Sequence, residues 1–551
     1  MTFRNQHGGA RRSRVVLLIF MLKVNRNLIE KKMSKNQIML CSSLLKEHFG
    51  EIVQKVAIML KKYGSRPLRI IAQETMLPLR KVKQSLRVLI QHDMAEFELN
   101  KKGFVEYTVK LENILLLHRY PRYIYCAKTL YGDIGELLVE EILNNGMMTM
   151  EVVIQKVSER LAEATGDGKA DIPISSIKEK FNNLVQSHFI KRCPMTEWEE
   201  NSLVPSMYLQ EHEMFRICEL EIYALNEVSD DEGLPPAKKL KLRNTSTKET
   251  IYWRVNFDRF HQYFRDQCII KAVISRFDNK TGDVVRTLLR LVETRSNPWV
   301  ETTNPVPRHE LLQMLIKESN ITADEMDAYL AVLIDDSTSF VSRVDERGGG
   351  MYVVNIKKSL QKLSEAIAIS VVQDKFGSKC CRVFRLLLMK RYLEMKQIED
   401  LSVMLPKDAK EYTYKMLQEN FITVQEIPRT PDHAPSRTFF LFHVDLVQLC
   451  RSLLDRCYKV MFNSICHREF INREHKRLLE KKQRVEAITA TLQQSGADST
   501  QIQEVEDMIS PPEHAQLERV KQNTNKLEHS EIQLDETIFT LSMWLKAIGE
   551  K

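Results

Sequence analysis

Cations spaced to meet phosphate are the chemistry this sequence offers most plainly. Arg80, Lys83 and Arg87 recur at intervals of three and four, which puts all three on one face of a helix. Lys101 and Lys102 stand beside Gly103 between two alternating apolar runs, the place of a hairpin turn. A second set is Arg429 and Arg437, which bound a proline-stiffened loop that also holds His433. Contacts between such cations and DNA phosphates are electrostatic and salt-sensitive. The other reading of the same residues is a solvated helix face. Lys407 and Lys410 share a further face, and the loop beside them suits contact with protein or with DNA. Arg286 and Arg290 fall on a helix that precedes the equivalent position, and read as ordinary surface charge.

Catalytic patterns are missing. The ten cysteines are scattered, with no C-x-x-C pair and no Cys/His spacing that suits zinc. They read as small packing residues of a reduced, intracellular chain. No phosphate-binding loop, dinucleotide fingerprint, zinc-protease or nucleophile-elbow motif occurs. Gly348–Gly350 falls between two strand-like runs, Phe340–Val344 and Met351–Val354, and reads as a turn. The chain is expected to be no enzyme, and to bind neither metal nor cofactor.

The elements that must position the cations emerge from a repeat. Leu89, Leu184, Leu333 and Leu417 each close a helical stretch that passes through a polar break into a strand-like run. Those runs are Ala95–Leu99, Phe189–Cys193, Phe340–Val344 and Phe421–Ile427. The separations are 95, 149 and 84 residues, the long one containing a polar insert. The first copy is the clearest. It predicts one long amphipathic helix over Ile38–Lys62, a short helix over Leu68–Glu74, and a third from Pro78 to His92. Two strands follow, Ala95–Asn100 and Phe104–Lys110. Three helices and a hairpin are the plan of a winged helix, in which the third helix can enter a major groove while the wing meets phosphates.

The expected fold is therefore α+β and helix-dominated, with four tandem extended winged helices and a C-terminal coiled-coil hairpin. Their expected bounds are 33–115, 116–225, 251–357 and 358–445, with the coiled-coil region at 446–551. The insert 226–250 is polar and reads as a disordered linker. Lys238, Lys239, Lys241 and Arg243 within it resemble a nuclear localisation signal. Near the C-terminus Leu517, Val520, Leu527, Leu534, Ile538, Leu541 and Leu545 lie on a heptad seam. That seam packs either within the subunit or on a partner. An arm carrying Leu478, Val485, Ile488 and Leu492 precedes it, broken at Ser495-Gly496.

Charge, once located, narrows the function. The 551 residues hold 81 Lys+Arg against 73 Asp+Glu, a formal net charge of +8. Residues 1–36 alone carry nine of the bases and one acid, so the rest of the chain is neutral. A global polyanion-binding footprint is absent, and nucleic-acid contact must come from local patches. Residues 1–32 read as an atypical extension or misplaced start, or else as a weak targeting segment. The apolar run Val15–Leu22 is too short to span a membrane, which takes about 20 residues.

Several strings are distinctive. HRYPRYIYCAKTLYGDIGELLVEEIL (118–143), YWRVNFDRFHQYFRDQ (252–267), GGGMYV (348–353) and KFGSKCCRVFRLLL (375–388) resemble the third-largest subunit of RNA polymerase III. EIPRTPDHAPSRTFFLF (426–442), LLEKKQRVEAI (478–488) and QLDETIF (533–539) do so too. The resemblance runs from about Met33 to Leu545 and leaves out residues 1–32. It implies four extended winged helices and a coiled-coil segment, related to the large subunit of TFIIE. It implies a nuclear, non-catalytic role on the clamp of the polymerase, in a subcomplex with two other polymerase III-specific subunits. Recruitment through TFIIIB, opening of promoter DNA and transcription of tRNA, 5S and other short RNAs follow from the same resemblance. The competing class is a free-standing winged-helix DNA-binding regulator, which would want a basic recognition helix in most units.

Overall fold

The computed structural model describes residues 34–165, 173–197, 204–210, 213–217, 251–319, 321–346, 349–429, 437–494 and 499–549. The extension 1–32, the linker 226–250 with its basic run, Gly348, the loop residues 430–436 and the break at Ser495-Gly496 lie outside them.

Glycine decides the first departure from expectation. The helix expected over Ile38–Lys62 is two helices, α1 (Lys35–Phe49) and α2 (Glu51–Tyr63), because Gly50 between them adopts φ +84. Ser34 and Gln37 start α1 with a reciprocal capping box. Then come β1 (Arg66–Pro67), α3 (Leu68–Thr75), α4 (Leu79–Gln91), β2 (Ala95–Leu99) and β3 (Val105–Val109). Strands β2 and β3 pair antiparallel from Ala95–Val109 to Leu99–Val105, and β1 adds to the free edge of β3. This is the expected winged-helix plan.

Helix α5 (Leu111–Ile114) packs into the core of the first unit, and the second unit holds α6 (Tyr120–Tyr131), α7 (Asp133–Asn145), α8 (Met150–Thr165) and α9 (Ile174–Gln186). Its strands are β4 (Ile190–Arg192), β5 (Met195–Glu197), β6 (Ser206–Tyr208) and β7 (Trp253–Val255). Strand β7 falls on the third-unit side of the expected boundary at 251. Strand β7 pairs antiparallel with β4, and Trp253 also bridges to Met148. The strand lies far from β4 in sequence but closes the second unit, with Trp253 fully buried edge-on to Phe181.

The third unit runs through α10 (Phe257–Arg276), α11 (Asn279–Val292), β8 (Val306–Pro307), α12 (Arg308–Ser319) and α13 (Ala323–Asp335), then β9 (Val341–Asp345) and β10 (Met351–Val354). Strands β9 and β10 are antiparallel, and Gly349 and Gly350 between them both have positive φ, as a turn there requires. The fourth comprises α14 (Ile356–Phe376), α15 (Ser378–Lys390), α16 (Met395–Ser402), α17 (Pro406–Gln418), β11 (Thr423–Pro428) and β12 (Thr438–His443). Its hairpin is in register from Thr423–His443 to Pro428–Thr438.

Four helices end the chain: α18 (Leu446–Glu474), α19 (Lys476–Gln494), α20 (Ser499–Glu506) and α21 (Pro511–Ala547). A capping box of Ser510 and Glu513 opens α21, whose 37 residues extend about 55 Å. The heptad seam changes partners along that length. Leu517 packs with Val485 and Ile509 in a small hairpin core. Val520 is buried, and Leu527 is half-buried. Leu534 and Ile538 enter the core of the first unit, beside Tyr458, Met461 and Ile465 of α18. Leu541 and Leu545 join a core that continues through the other three units. A coiled-coil hairpin therefore accounts for only the first part of the seam, and about the last four turns are a strap across the units. The strap works because every unit leaves an apolar helix face that its own short strands cannot cover.

Candidate nucleic-acid interface

Helix α4 breaks the rules that a purely structural helix obeys. Its N-cap is Pro78, with no side-chain cap, and its first turn has no acid. Arg80, Lys81 and Lys83 instead crowd the end where the helix dipole is positive, an arrangement that costs stability. Val82, Leu86 and Leu89 are buried on the opposite side and fix which face points outward. Arg80, Lys83 and Arg87 are exposed and together line a depression of about 440 Å³ with Leu79 and Gln84. None of the three has an ion-pair partner among the described residues. Free backbone N–H groups at the same helix end add to the attraction for an anion.

Lys101 and Lys102 occupy the turn between β2 and β3, also exposed and unpaired among the described residues. Gly103 there takes φ +78, and Asn100 braces the turn by donating from Nδ2 to Glu106 at 2.5 Å. Phe104 beside them is 63% exposed, a residue that the charge pattern overlooks. Lys110 at the base of the wing is committed elsewhere. Burial works against its ammonium, but Glu96 at 2.9 Å and Asp93 at 3.3 Å outweigh it and raise its pKa.

The fourth unit repeats the register without repeating the charge. Counted from the N-cap, Arg80 and Lys83 correspond to Lys407 and Lys410 of α17. Lys410 is paired with Glu399 at 3.3 Å, and Asp408 stands in the first turn. Even the left-handed residue before each helix recurs: Met76 in the first unit, Val403 in the fourth. In the third unit the same two positions are Asp324 and Asp327, on a helix that Thr322 and Glu325 cap reciprocally. That helix is suited to structure and repels phosphate. Arg286 pairs with Asp283 and Arg290 with Glu318, in keeping with surface charge. Arg429 and Arg437 face each other across the mouth of β11 and β12, where the Arg429 N–H donates to the Arg437 carbonyl at 2.9 Å. The Arg429 guanidinium lies 4.0 Å from the Phe439 ring centroid. Neither arginine lines the depression that holds the cations of α4.

Sequence reasoning missed a buried charge cluster. Asp535 of α21, 3% exposed, accepts from Arg119 Nε at 2.8 Å and Nη2 at 2.7 Å. Arg122 Nη1 donates to it at 3.2 Å, and His118 Nε2 lies 2.7 Å away. Burial alone would raise this carboxyl's pKa; Arg119 and His118 instead hold it well below the usual carboxylate range. Arg122 lies over the Phe264 ring at 4.4 Å, and Tyr123 meets His261 Nε2 at 2.7 Å. Burial, reinforced by Arg119, keeps His261 neutral by holding its pKa well below the ordinary value. The cluster locks the C-terminal strap to the second and third units.

Known proteins match along nearly the whole chain. The family described as "RNA polymerase III subunit RPC82 helix-turn-helix domain" matches residues 39–100, and "RNA polymerase III subunit RPC82" matches 179–363. "POLR3C, C-terminal winged-helix domain" matches 368–444, and "DNA-directed RNA polymerase III subunit RPC3, helical hairpin domain" matches 477–540. DNA-directed RNA polymerase III subunit RPC3 of Bos taurus is 46% identical over 531 residues, covering 94% of this chain and 99% of the relative. The Homo sapiens protein of that name is 46% identical over 530 residues, covering 93% and 99%. The Danio rerio protein is 42% identical over 535 residues, covering 94% and 99%. With winged-helix units, a helical hairpin and this near full-length identity in agreement, the chain belongs to the RPC3 family of RNA polymerase III subunits.

Proposed function

We propose that this subunit is a non-catalytic, nuclear scaffold of four tandem winged helices that helps RNA polymerase III engage and open promoter DNA. It forms a subcomplex with two other polymerase III-specific subunits and assists recruitment through TFIIIB, for transcription of tRNA, 5S and other short RNAs. Arg80, Lys83 and Arg87 of α4 hold the DNA backbone, with Lys101 and Lys102 of the wing beside them. Arg429 and Arg437 form a second, weaker contact. The observation that carries this reading is the helix α4 itself: three exposed cations on one face, without internal partners, with Arg80 in the first turn where a cation costs stability. Family membership sets aside the free-standing regulator, and it fits a neutral body that docks mainly on protein.

The test uses the assembled polymerase carrying Arg80→Ala with Arg87→Ala. Crosslinking of this subunit to promoter DNA is expected to fall several-fold while the polymerase remains intact. Undiminished crosslinking with normal assembly would remove α4 from the DNA path. Purification of the tagged chain from nuclear extract tests the wider reading. The polymerase III core and two small specific subunits should come with it.

A further inference from the structure

The joint between the first and second units holds a groove of about 420 Å³. Leu68, Leu86, Ile90, Gln91 and Tyr107 line it from the first unit, and Met147 and Tyr252 from the second. Lys83 and Arg87 stand on its rim, exposed and without ion pairs among the described residues. The walls are held at a fixed spacing. Gln91 Nε2 donates to the Asn145 carbonyl at 2.6 Å, and Arg254 pairs with Asp93 at 3.2 Å. Gly146 lets the backbones meet: its φ is +77, and a Cβ there would stand 2.6 Å from the Gln91 carbonyl oxygen.

The chemistry of this groove selects its occupant. Its size falls within the usual range of pockets for small groups, so it admits side chains but not a duplex. Its apolar lining, Leu68, Leu86, Ile90 and Met147 with the rings of Tyr107 and Tyr252, suits an apolar side chain. Two unpaired cations beside an apolar floor call for carboxylates next to an apolar anchor. The geometry points to a docking site for an acidic peptide segment of another protein in the polymerase, with an apolar anchor in the groove and its carboxylates on Lys83 and Arg87. Such a segment shares those two cations with DNA, while Arg80 lies outside the groove. The docking itself does not rest on the DNA reading, because Met147 and Tyr252 have no part in it.

The experiment places the photo-crosslinker p-benzoylphenylalanine at position 252 of the full chain, assembled into purified polymerase III. Irradiation and mass spectrometry then identify its neighbours. The expected product joins position 252 to an Asp/Glu-rich segment of another subunit. It should fall at least fivefold with Lys83→Glu plus Arg87→Glu, and likewise with Met147→Glu, which puts a charge against the apolar anchor. Arg80→Glu should leave this crosslink unchanged while weakening that to promoter DNA, so the two readings fail separately. Crosslinks confined to this chain, to nucleic acid or to a segment without acid would overturn the proposal. So would a crosslink that survives both the double charge reversal and Met147→Glu.

Discussion

Arg119 and Arg80 lie in adjacent units, carry the same guanidinium, and have opposite fates. Arg119 is buried against Asp535, lies over the Phe539 ring, and joins segments 416 residues apart. Arg80 stands in solvent at a helix end that disfavours it, and nothing among the described residues answers its charge. The difference is where the counter-charge resides. A cation whose carboxylate lies inside the fold is used up in holding the chain together. One whose counter-charge is missing is available to bind something else. Cation count therefore says little about DNA binding in a neutral protein, and cation pairing says much more.

The strongest test of that contrast removes the internal partner. Asp535→Ala strands Arg119, whose side chain is only 6% exposed, beside Arg122. Losing one member of a buried pair costs about 3–5 kcal/mol, because the other stays desolvated without compensation. The expected result is amide exchange in the last four turns of α21 faster by about two to four orders of magnitude. Exchange in α4, outside the cluster, should change little. Protection of α21 left intact would show that apolar packing of Phe539, Leu541 and Trp544 suffices without the charges.

The opposite manipulation touches the unpaired cations. Arg80→Ala with Arg87→Ala should leave folding within about 0.5 kcal/mol, as for exposed positions generally. Affinity of the full chain for duplex DNA should nevertheless fall about tenfold. The slope of log affinity against log salt should become shallower by about 2, one unit for each phosphate that is no longer neutralised. An unchanged slope would mean that these two side chains meet no phosphate.

What was legible in the sequence follows the same division. Local periodicity carried the first unit well: helix, turn, helix and hairpin come out within a few residues, and Arg80, Lys83 and Arg87 share the face that their spacing demands. The failures are non-local. Trp253–Val255 pairs with Ile190–Arg192 across the polar insert, so no short window could assign it to the second unit. Gly50 interrupts a pattern whose apolar spacing continues past it, which hides the break. The charge cluster was present as strings, HRYPR and QLDETIF, whose family resemblance was plain while their mutual contact was not. A single sequence gives His118, Arg119 and Asp535 no common period, since only the folded strap brings them together. The seam shows both sides: its heptads were readable, but the switch from hairpin core to unit cores was not.

The cluster also predicts a pH response. His261 is buried neutral, facing Tyr123 and Arg119, with Arg122, Asp535 and Lys546 nearby. Its folded pKa lies below the value of about 6.5 expected for the unfolded chain. Between those two values the unfolded state binds the extra proton, so stability is complete above about pH 6.5 and is lost as pH falls below it. Protection of α21 should thus weaken gradually from pH 6.5 downward. His261→Gln, which keeps a hydrogen-bonding group but cannot titrate, should flatten that trend. Asp535 adds a further loss only near and below pH 4, because its carboxylate must be protonated first.

The smallest effect expected is the one that most sharpens the contrast. Lys407 and Lys410 occupy the same helical positions as Arg80 and Lys83, so a reading based on register alone would give both pairs equal weight. Pairing does not. Lys410 already faces Glu399, and Asp408 lies between the two lysines. The same turn displays Val403, 83% exposed, and Leu405, 70% exposed, which give phosphate nothing to bind. Lys407→Ala with Lys410→Ala should therefore change DNA affinity less than about threefold and leave the salt slope within about half a unit, against about two for the first-unit pair. A drop equal to that of Arg80→Ala with Arg87→Ala would mean that register outweighs internal pairing. The fourth unit would then have to be counted as a DNA-binding helix in its own right.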